Sequence, residues 1–195
     1  MDAPIYFKNV QLDTAIAFDS LVKKGKLYQA PLKTPVLIQT PLVKIHSITS
    51  THASISTAPE SPLHAFFVEA ERVAKDVCSN SSSVLGLSAD QVESSFKSFM
   101  GESQLRVRLD PSFHAYSHTG EVMEETPKDM DQARAVLRLE QISIGKTEIG
   151  ILWKLVQTQA AEPVPDCMID LEIEVPDDQD DTEPTGDEDD GVDFV

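Results

Sequence analysis

The chain has 195 residues, 41% of them apolar, which is enough for one domain with a real core plus a tail. Its formal charge of −17 is unevenly spread: ten of the 33 acids stand in 177–195 without a single base, leaving 23 acids against 16 bases in the rest. The two cysteines, Cys78 and Cys167, are too few and too far apart for a disulfide framework, which favours an intracellular, reducing compartment, and no apolar run approaches the ~20 residues of a membrane span.

The opening "MDAPIYFKNVQLD" has neither a basic start nor an apolar stretch, so no signal peptide is expected there. Residues 4–10, "PIYFKNV", suit a short strand. "VKKGKLYQAPLKTP" (22–35) mixes lysines, a tyrosine and two prolines and reads as a loop or irregular arm. "PVLIQTPLVKIHSI" is rich in β-branched residues and reads as a strand broken at Pro41.

Ser61-Pro62 sets an N-cap and a first-turn proline, and Phe66, Phe67, Ala70, Val73, Ala74 and Val77 follow at helical spacing. A second helix starts at Ser88, with Gln91 completing a capping box and Val92, Phe96 and Phe99 as its apolar side. After Gly101 the period falls to two. "QLRVRLD" places Leu105, Val107 and Leu109 on one face and Arg106 and Arg108 on the other. Thr119-Gly120 marks a turn. "ARAVLRLEQISIGKTEIGILWKLVQTQ" reads as a long hairpin turning at Gly145, and "DCMIDLEIEV" as a further alternating strand. The expected fold over 1–176 is mainly β with a helical insertion, five or more strands and two helices, a pattern that favours a small closed or partly closed barrel or a sandwich. From 177 the composition cannot bury enough apolar area to offset ordering entropy, so a disordered acidic tail is expected over 177–195.

Catalytic and metal chemistry find no support in these residues. "GKT" at Gly145 to Thr147 lacks the upstream glycine of a phosphate loop, because position 140 is Glu140, and a strand pattern follows where a helix is required. His114 and His118 are four apart, but they stand between strand signals, where they read as turn histidines without a second ligand pair. Cys78 ends a helix and reads as a buried thiol. No enzyme, metal site or cofactor is therefore expected.

Binding single-stranded nucleic acid needs a positive groove for phosphates and exposed aromatic faces for bases. Lys23, Lys24, Lys26, Lys33 and Lys44 are candidates for the groove, with Arg106 and Arg108 outward on one strand. Arg134, Arg138, Lys146 and Lys154 come from the hairpin, and Tyr28 and Tyr116 are aromatics in polar surroundings. Trp153 shares a strand face with Ile149, Ile151 and Leu155 and reads as core, while Lys154 points the other way.

The hairpin "RAVLRLEQISIGKTEIGILWKLVQTQ" resembles the signature hairpin of giant-virus single-stranded DNA-binding proteins, the nucleo-cytoplasmic large DNA virus relatives of the podovirus replication protein. "PVLIQTPLVKI" resembles that family's early strand, and "RVRLDPSFHAYSHTGEVM" falls in the expected order. The likeness covers most of 30–158 and the acidic tail. It implies an OB-type barrel that binds single-stranded DNA in viral replication, recombination or repair, in the host cytoplasm or nucleus. At matching positions it points to Lys44, Arg106, Arg108, Lys146 and Lys154. It gives the tail a role with Phe194 as its anchor, and from its charge and reach the tail, with Asp187, Glu188, Asp189, Asp190, Asp193 and Phe194, is expected to compete with DNA and to recruit a polymerase, primase or helicase. It also allows a homodimer, and it implies no membrane partner. The competing reading is a viral structural or adaptor protein that uses a barrel and an acidic linear motif without nucleic acid. A continuous positive groove beside exposed aromatics separates the two.

Overall fold

The alternating stretches of the second half become three long strands that carry the fold. A computed structural model of the chain describes residues 3–18, 20–24, 27–81, 85–145 and 147–162, without the side chains of Lys24 and Leu27. The strands are β1 (Ile5–Tyr6), β2 (Val22–Lys24), β3 (Leu27–Gln39), β4 (Val43–Ile48), β5 (His52–Ser56), β6 (Gln104–Tyr116), β7 (Met130–Ile144) and β8 (Ile149–Ala160). The helices are α1 (Leu12–Ala15), α2 (Pro62–Asn80) and α3 (Ala89–Ser95), with a 3-10 turn at Phe7–Asn9.

Strands β4, β5, β6, β8 and β7 pair in that order, and β7 pairs again with β4, so the five close into a barrel. Only β6 and β8 run parallel within this ring. That is the order of an OB-type Greek-key barrel, in which β5 and β6 are the second and third strands. β4 pairs the start of β7 and β3 pairs the remainder of the same edge, while β1 and β2 extend the sheet beyond β3.

The break expected at Pro41 lies where the chain passes from β3 to β4. Thr40 is wholly buried there. Its N–H donates to the Ala135 carbonyl at 2.9 Å, and its hydroxyl accepts the Ala135 N–H at 3.0 Å while donating to the Pro41 carbonyl at 2.8 Å. The hydroxyl thus supplies the acceptor that a regular ladder would have supplied, and no buried amide is orphaned.

Inward residues of the strands form one core with α2. The Ser61 hydroxyl accepts the His64 N–H at 3.1 Å, Pro62 opens the helix, and Leu63, Phe66, Phe67, Ala70, Val73 and Ala74 bury its stripe. Trp153 of β8 is 2% exposed and meets Phe66 and Phe67 at ring centroids of 6.1 and 5.4 Å. Burying a tryptophan with two phenylalanines contributes several kcal/mol at about 25 cal/mol per Å². Cys78, at the end of α2, is fully buried, and that burial pushes its thiol up to about 12.

Several local expectations change. The stretch 22–35, expected as an irregular arm, is strand β2 and most of β3. Pro31 and Pro35 are tolerated because the register against β7 shifts between Pro31 and Val36, where the ladder asks for no proline N–H. The Lys33 N–H in that interval donates instead to the Ala17 carbonyl at 2.8 Å. His114 lies in β6, which runs on past Pro111 to Tyr116, and only His118 stands in the turn. The second helix ends at Ser95, so Phe96 is its C-cap and Phe99 lies beyond it. The strand expected at 167–175 and the tail at 177–195, with Lys26 and Lys146, lie outside the described residues.

Candidate nucleic-acid interface

The start of β8 and the start of β6 do not pair with each other; their parallel register begins at Arg108 and Lys154. The segment 96–101 fills the interval. Phe96 bridges Ile149 in parallel, and the Lys97 N–H donates to the Ile149 carbonyl at 2.7 Å. Further along, Met100 bridges Leu105, the Gly101 N–H donates to the Gln104 carbonyl at 2.7 Å, and the Arg106 N–H donates to the Phe99 carbonyl at 3.3 Å. The strap therefore holds β8 on one side and β6 on the other. It lies so close to β8 that a Cβ on Gly150 would stand 2.8 Å from Phe99 Cε2 and 2.9 Å from the Lys97 carbonyl oxygen.

Two clefts of about 670 Å³ each flank this strap. One is bounded by Lys97–Gly101, Arg106 and Arg108, by Gln141 and Ser143 of β7, and by Gly145, Thr147 and Glu148 of the β7–β8 turn. The other runs over the β4–β5 hairpin, along Ser47, Thr49, Thr51, Ser54 and Gln104. His52, Phe99, Gly101 and Arg106 belong to both. Phe99 is half-buried, lines both clefts and carries its ring edge beside Gly150.

Alternation on β6 turns Arg106 and Arg108 outward while Leu105 and Val107 are buried. Their cross-strand partners on β5 are Ser54 and His52. Among the described residues neither arginine has an ion pair. Their field is visible on His52. Burial first, then the charges of Arg106 and Arg108, hold its imidazole below the usual histidine range. With Lys97 exposed at the strap and Glu148 as the opposing acid, the cleft carries a local positive excess inside an acidic protein.

A different environment surrounds the cations of β7 and β8. Arg138 pairs with Asp110, and its Nε lies 2.9 Å from Glu140 Oε1. Lys154 pairs with Glu140 and stands 3.9 Å from Asp110. Burial alone would raise the Asp110 carboxyl, but the Ser112 hydroxyl and N–H and the Arg138 guanidinium outweigh it, and the group sits below the ordinary aspartate range. Lys154 is the register partner of both Arg108 and Arg138, so this compensated cluster adjoins the uncompensated arginines.

The remaining expected residues are dispersed. Lys44 on β4 holds Asp131 at 2.7 Å, and that hydrogen bond raises its pKa. Lys23 on β2 stands opposite Tyr28 of β3, which is 44% exposed, and the next residue, Gln29, lines the first cleft. Lys24 belongs to the same strand, and exposed Lys33 lies in the β3 bulge. Tyr116, half-buried, pairs Gln159 and Val122 at the far end of β6. Lys26, Lys146 and the tail candidates Asp187, Glu188, Asp189, Asp190, Asp193 and Phe194 lie outside the described residues. Sequence reasoning missed Phe99, His52 and Lys97. Its spacing from Val92 and Phe96 predicts a helix face for Phe99. The signal against that assignment is the polar pair Lys97-Ser98 before it and Gly101 after it, which suit a strap better than a helical turn.

No protein-family model matches the chain, and no curated protein matches it. Among solved structures, it is similar to a single-stranded DNA-binding protein encoded by bacteriophage T7, with a TM-score of 0.45 and 8% identity over 67% of this chain and 88% of that one. It is also similar to the single-stranded DNA-binding protein from bacteriophage Enc34, with a TM-score of 0.45 and 12% identity over 78% of this chain and 97% of that one. The complex of that phage protein with single-stranded DNA gives a TM-score of 0.44 and 11% identity over 74% and 96% of the two chains.

Proposed function

We propose that the chain binds single-stranded DNA across the outer face of β5 and β6, and that it acts in viral DNA replication, recombination or repair. One observation carries the reading. Two arginines without ion pairs among the described residues line a cleft together with a half-buried phenylalanine that also lines a second cleft. Arginines take phosphates, and the aromatic ring takes a base whatever its identity. In OB-type barrels the second and third strands and the loops beside them are the usual oligonucleotide face. Here those are β5, β6, the β4–β5 turn and the β7–β8 turn. The two phage proteins to which the chain is similar are single-stranded DNA-binding proteins, in agreement with this reading, which rests on the geometry of the site.

The tail completes the proposal. A flexible chain of nineteen residues would span about 25 Å, so in this proposal the ten acids of 177–195 act on the barrel at high effective concentration. The tail then competes with DNA for the arginines. When a strand displaces it, Phe194 and the surrounding acids are free to dock on a replication partner such as a polymerase, primase or helicase. The protein works inside the host cell, in a reducing compartment, as a monomer or a homodimer.

The test is a titration of labelled oligo-dT at low salt against the full chain, the Arg106→Ala/Arg108→Ala variant and a chain shortened at Pro176. The expected order of affinity is shortened chain, full chain, variant. If the full chain and the shortened chain both fail to bind, the nucleic-acid reading is wrong and the adaptor reading takes its place. A parallel titration with oligo-rU separates a DNA preference from general single-strand binding.

A further inference from the structure

Phe99 is held in the clefts by a residue that lies outside them. The strap 96–101 is pinned at its start by the Ile149 carbonyl and at its end by the Gln104 carbonyl. Between those pins the Phe99 N–H points away from both strands. It donates to Glu71 Oε1 at 2.8 Å. Glu71 belongs to α2, and no residue of that helix lines either cleft. The Phe99 carbonyl accepts the Arg106 N–H of β6 at 3.3 Å, and within the strap the Met100 N–H donates to Ser98 Oγ at 3.0 Å. A second tie joins the same elements, because Lys75 of α2 pairs with Glu93 of α3, which leads into the strap.

We infer that Glu71 is a positioning residue for the nucleic-acid site: its carboxylate fixes the Phe99 backbone, and thereby the ring, where Phe99 lines both clefts. The inference rests on the proposed single-stranded DNA reading for its consequence, but its geometry stands without DNA. A backbone N–H bonded to a carboxylate is a charge-assisted contact, stronger than a neutral one, and it leaves the ring few alternative directions. Behind the strap there is no room even for a methyl group, since a Cβ on Gly150 would stand 2.8 Å from the ring and 2.9 Å from the Lys97 carbonyl oxygen. Glu71 supplies the restraint along the remaining direction. Helix α2 thus does two jobs: its apolar stripe closes the core on Trp153, and one carboxylate at the edge of that stripe sets the stacking surface.

The test has a structural arm and a binding arm, both on the full chain. In the free protein, Glu71→Ala should speed hydrogen exchange at the Phe99 amide at least tenfold and shift the Phe99 ring resonances. Glu71→Gln, whose Oε1 still accepts, should change both far less. In the binding arm, Glu71→Ala should weaken oligo-dT binding about tenfold, as loss of one stacked base would, with the salt slope unchanged because the arginines remain. Quenching of 2-aminopurine placed in the oligonucleotide should fall with Glu71→Ala and return with Glu71→Gln. Phe99→Ala should reproduce the loss, and Glu71→Ala added to it should cost nothing more. An unaltered Phe99 amide and ring in Glu71→Ala overturns the inference whether or not DNA binds. So does an equal loss in Glu71→Ala and Glu71→Gln. Failure of the unmodified chain to bind oligo-dT would instead overturn the functional reading and leave the structural arm to decide the positioning role.

Discussion

Arg106 and Arg108 differ from the other cations in what surrounds them. Lys154 and Arg138 face Glu140 and Asp110, and Lys44 faces Asp131, so a phosphate arriving there must displace an existing partner. Arg106 and Arg108 stand opposite Ser54 and His52 of β5, Arg108 also adjoins Lys154 of β8, and among the described residues no carboxylate pairs with either arginine. Substituting either arginine by alanine should therefore weaken single-strand binding more than substituting Lys44 or Lys154. Each should also reduce the slope of log affinity against log salt by about one, read from titrations at several salt concentrations. The neighbouring His52 gives the site a pH dependence of defined sign. Its pKa is lowered in the free protein, and a phosphate between the arginines raises it by screening their charge. Binding then takes up a proton, so affinity should rise as pH falls below the ordinary histidine value of 6.5. His52→Gln should flatten that rise, and a flat profile in the unmodified chain would remove the histidine from the site. For folding the sign is opposite: a lowered histidine contributes stability that is lost as pH falls through the same region. Gly150 also makes a specific demand. Gly150→Ala places a methyl inside contact distance of Phe99 and the Lys97 carbonyl, so the strap must shift. The expected result is weaker stacking with little change in the phosphate contribution.

At the scale of elements, the cluster around Asp110 ties the β6 bulge at Pro111 to β7 and β8. The Asp110 side chain is 3% exposed and accepts the Ser112 N–H at 3.0 Å and the Ser112 hydroxyl at 2.6 Å, besides pairing with Arg138. Asp110→Asn should cost about 1–3 kcal/mol of stability at neutral pH, measured by the urea midpoint, because one charged acceptor is lost from a nearly buried cluster. Since the folded pKa of Asp110 is depressed, its contribution is fully present above the ordinary aspartate value of 3.8 and fades as pH falls through the lower folded value. The stability curves of the two proteins should converge in acid. The same cluster shows what was and was not legible in the sequence. Helix starts at Ser61 and Ser88, the alternation of 104–109 and the hairpin turning at Gly145 rest on signals a few residues apart, and all appear as read. The strand over 27–39 depends on a partner a hundred residues away, and its two prolines look disqualifying until the bulge that accommodates them is seen. Proline marks the same kind of place at Pro41 and at Pro111, where the β6–β8 register shifts. Phe99 was misplaced for a related reason. The spacing of Val92, Phe96 and Phe99 continues a helical period that the backbone abandons at Ser95, because Phe96 finds a strand, Ile149, to bridge.

Charge organises the molecule as a whole. The net of −17 comes from a body of −7 and a segment, 177–195, of −10, while the first cleft gathers Lys97, Arg106 and Arg108 against one acid, Glu148, among the described residues. An acidic chain can bind a polyanion when its positive charge is local and its negative charge is held elsewhere, since phosphates respond to the potential within roughly a Debye length, about 10 Å at 0.1 M salt. Whether the acidic segment is held elsewhere is then the deciding quantity. If it competes for Arg106 and Arg108, removing it after Pro176 should tighten oligo-dT binding most at low salt, and the advantage should shrink toward 1 M, where the Debye length is about 3 Å. Two parts of the segment have separate roles under this scheme. Replacing Asp187, Glu188, Asp189 and Asp190 by Asn and Gln should strengthen DNA binding nearly as much as removing the tail. Phe194→Ala should leave DNA affinity almost unchanged and weaken capture of a replication partner, because one ring adds little to an electrostatic competitor but supplies the apolar anchor that a docking pocket needs. Paired titrations and pull-downs on both variants decide the matter. If acid neutralisation and Phe194→Ala shift DNA affinity and partner capture by the same factors, the tail acts as one undivided motif, and competition and recruitment are a single contact.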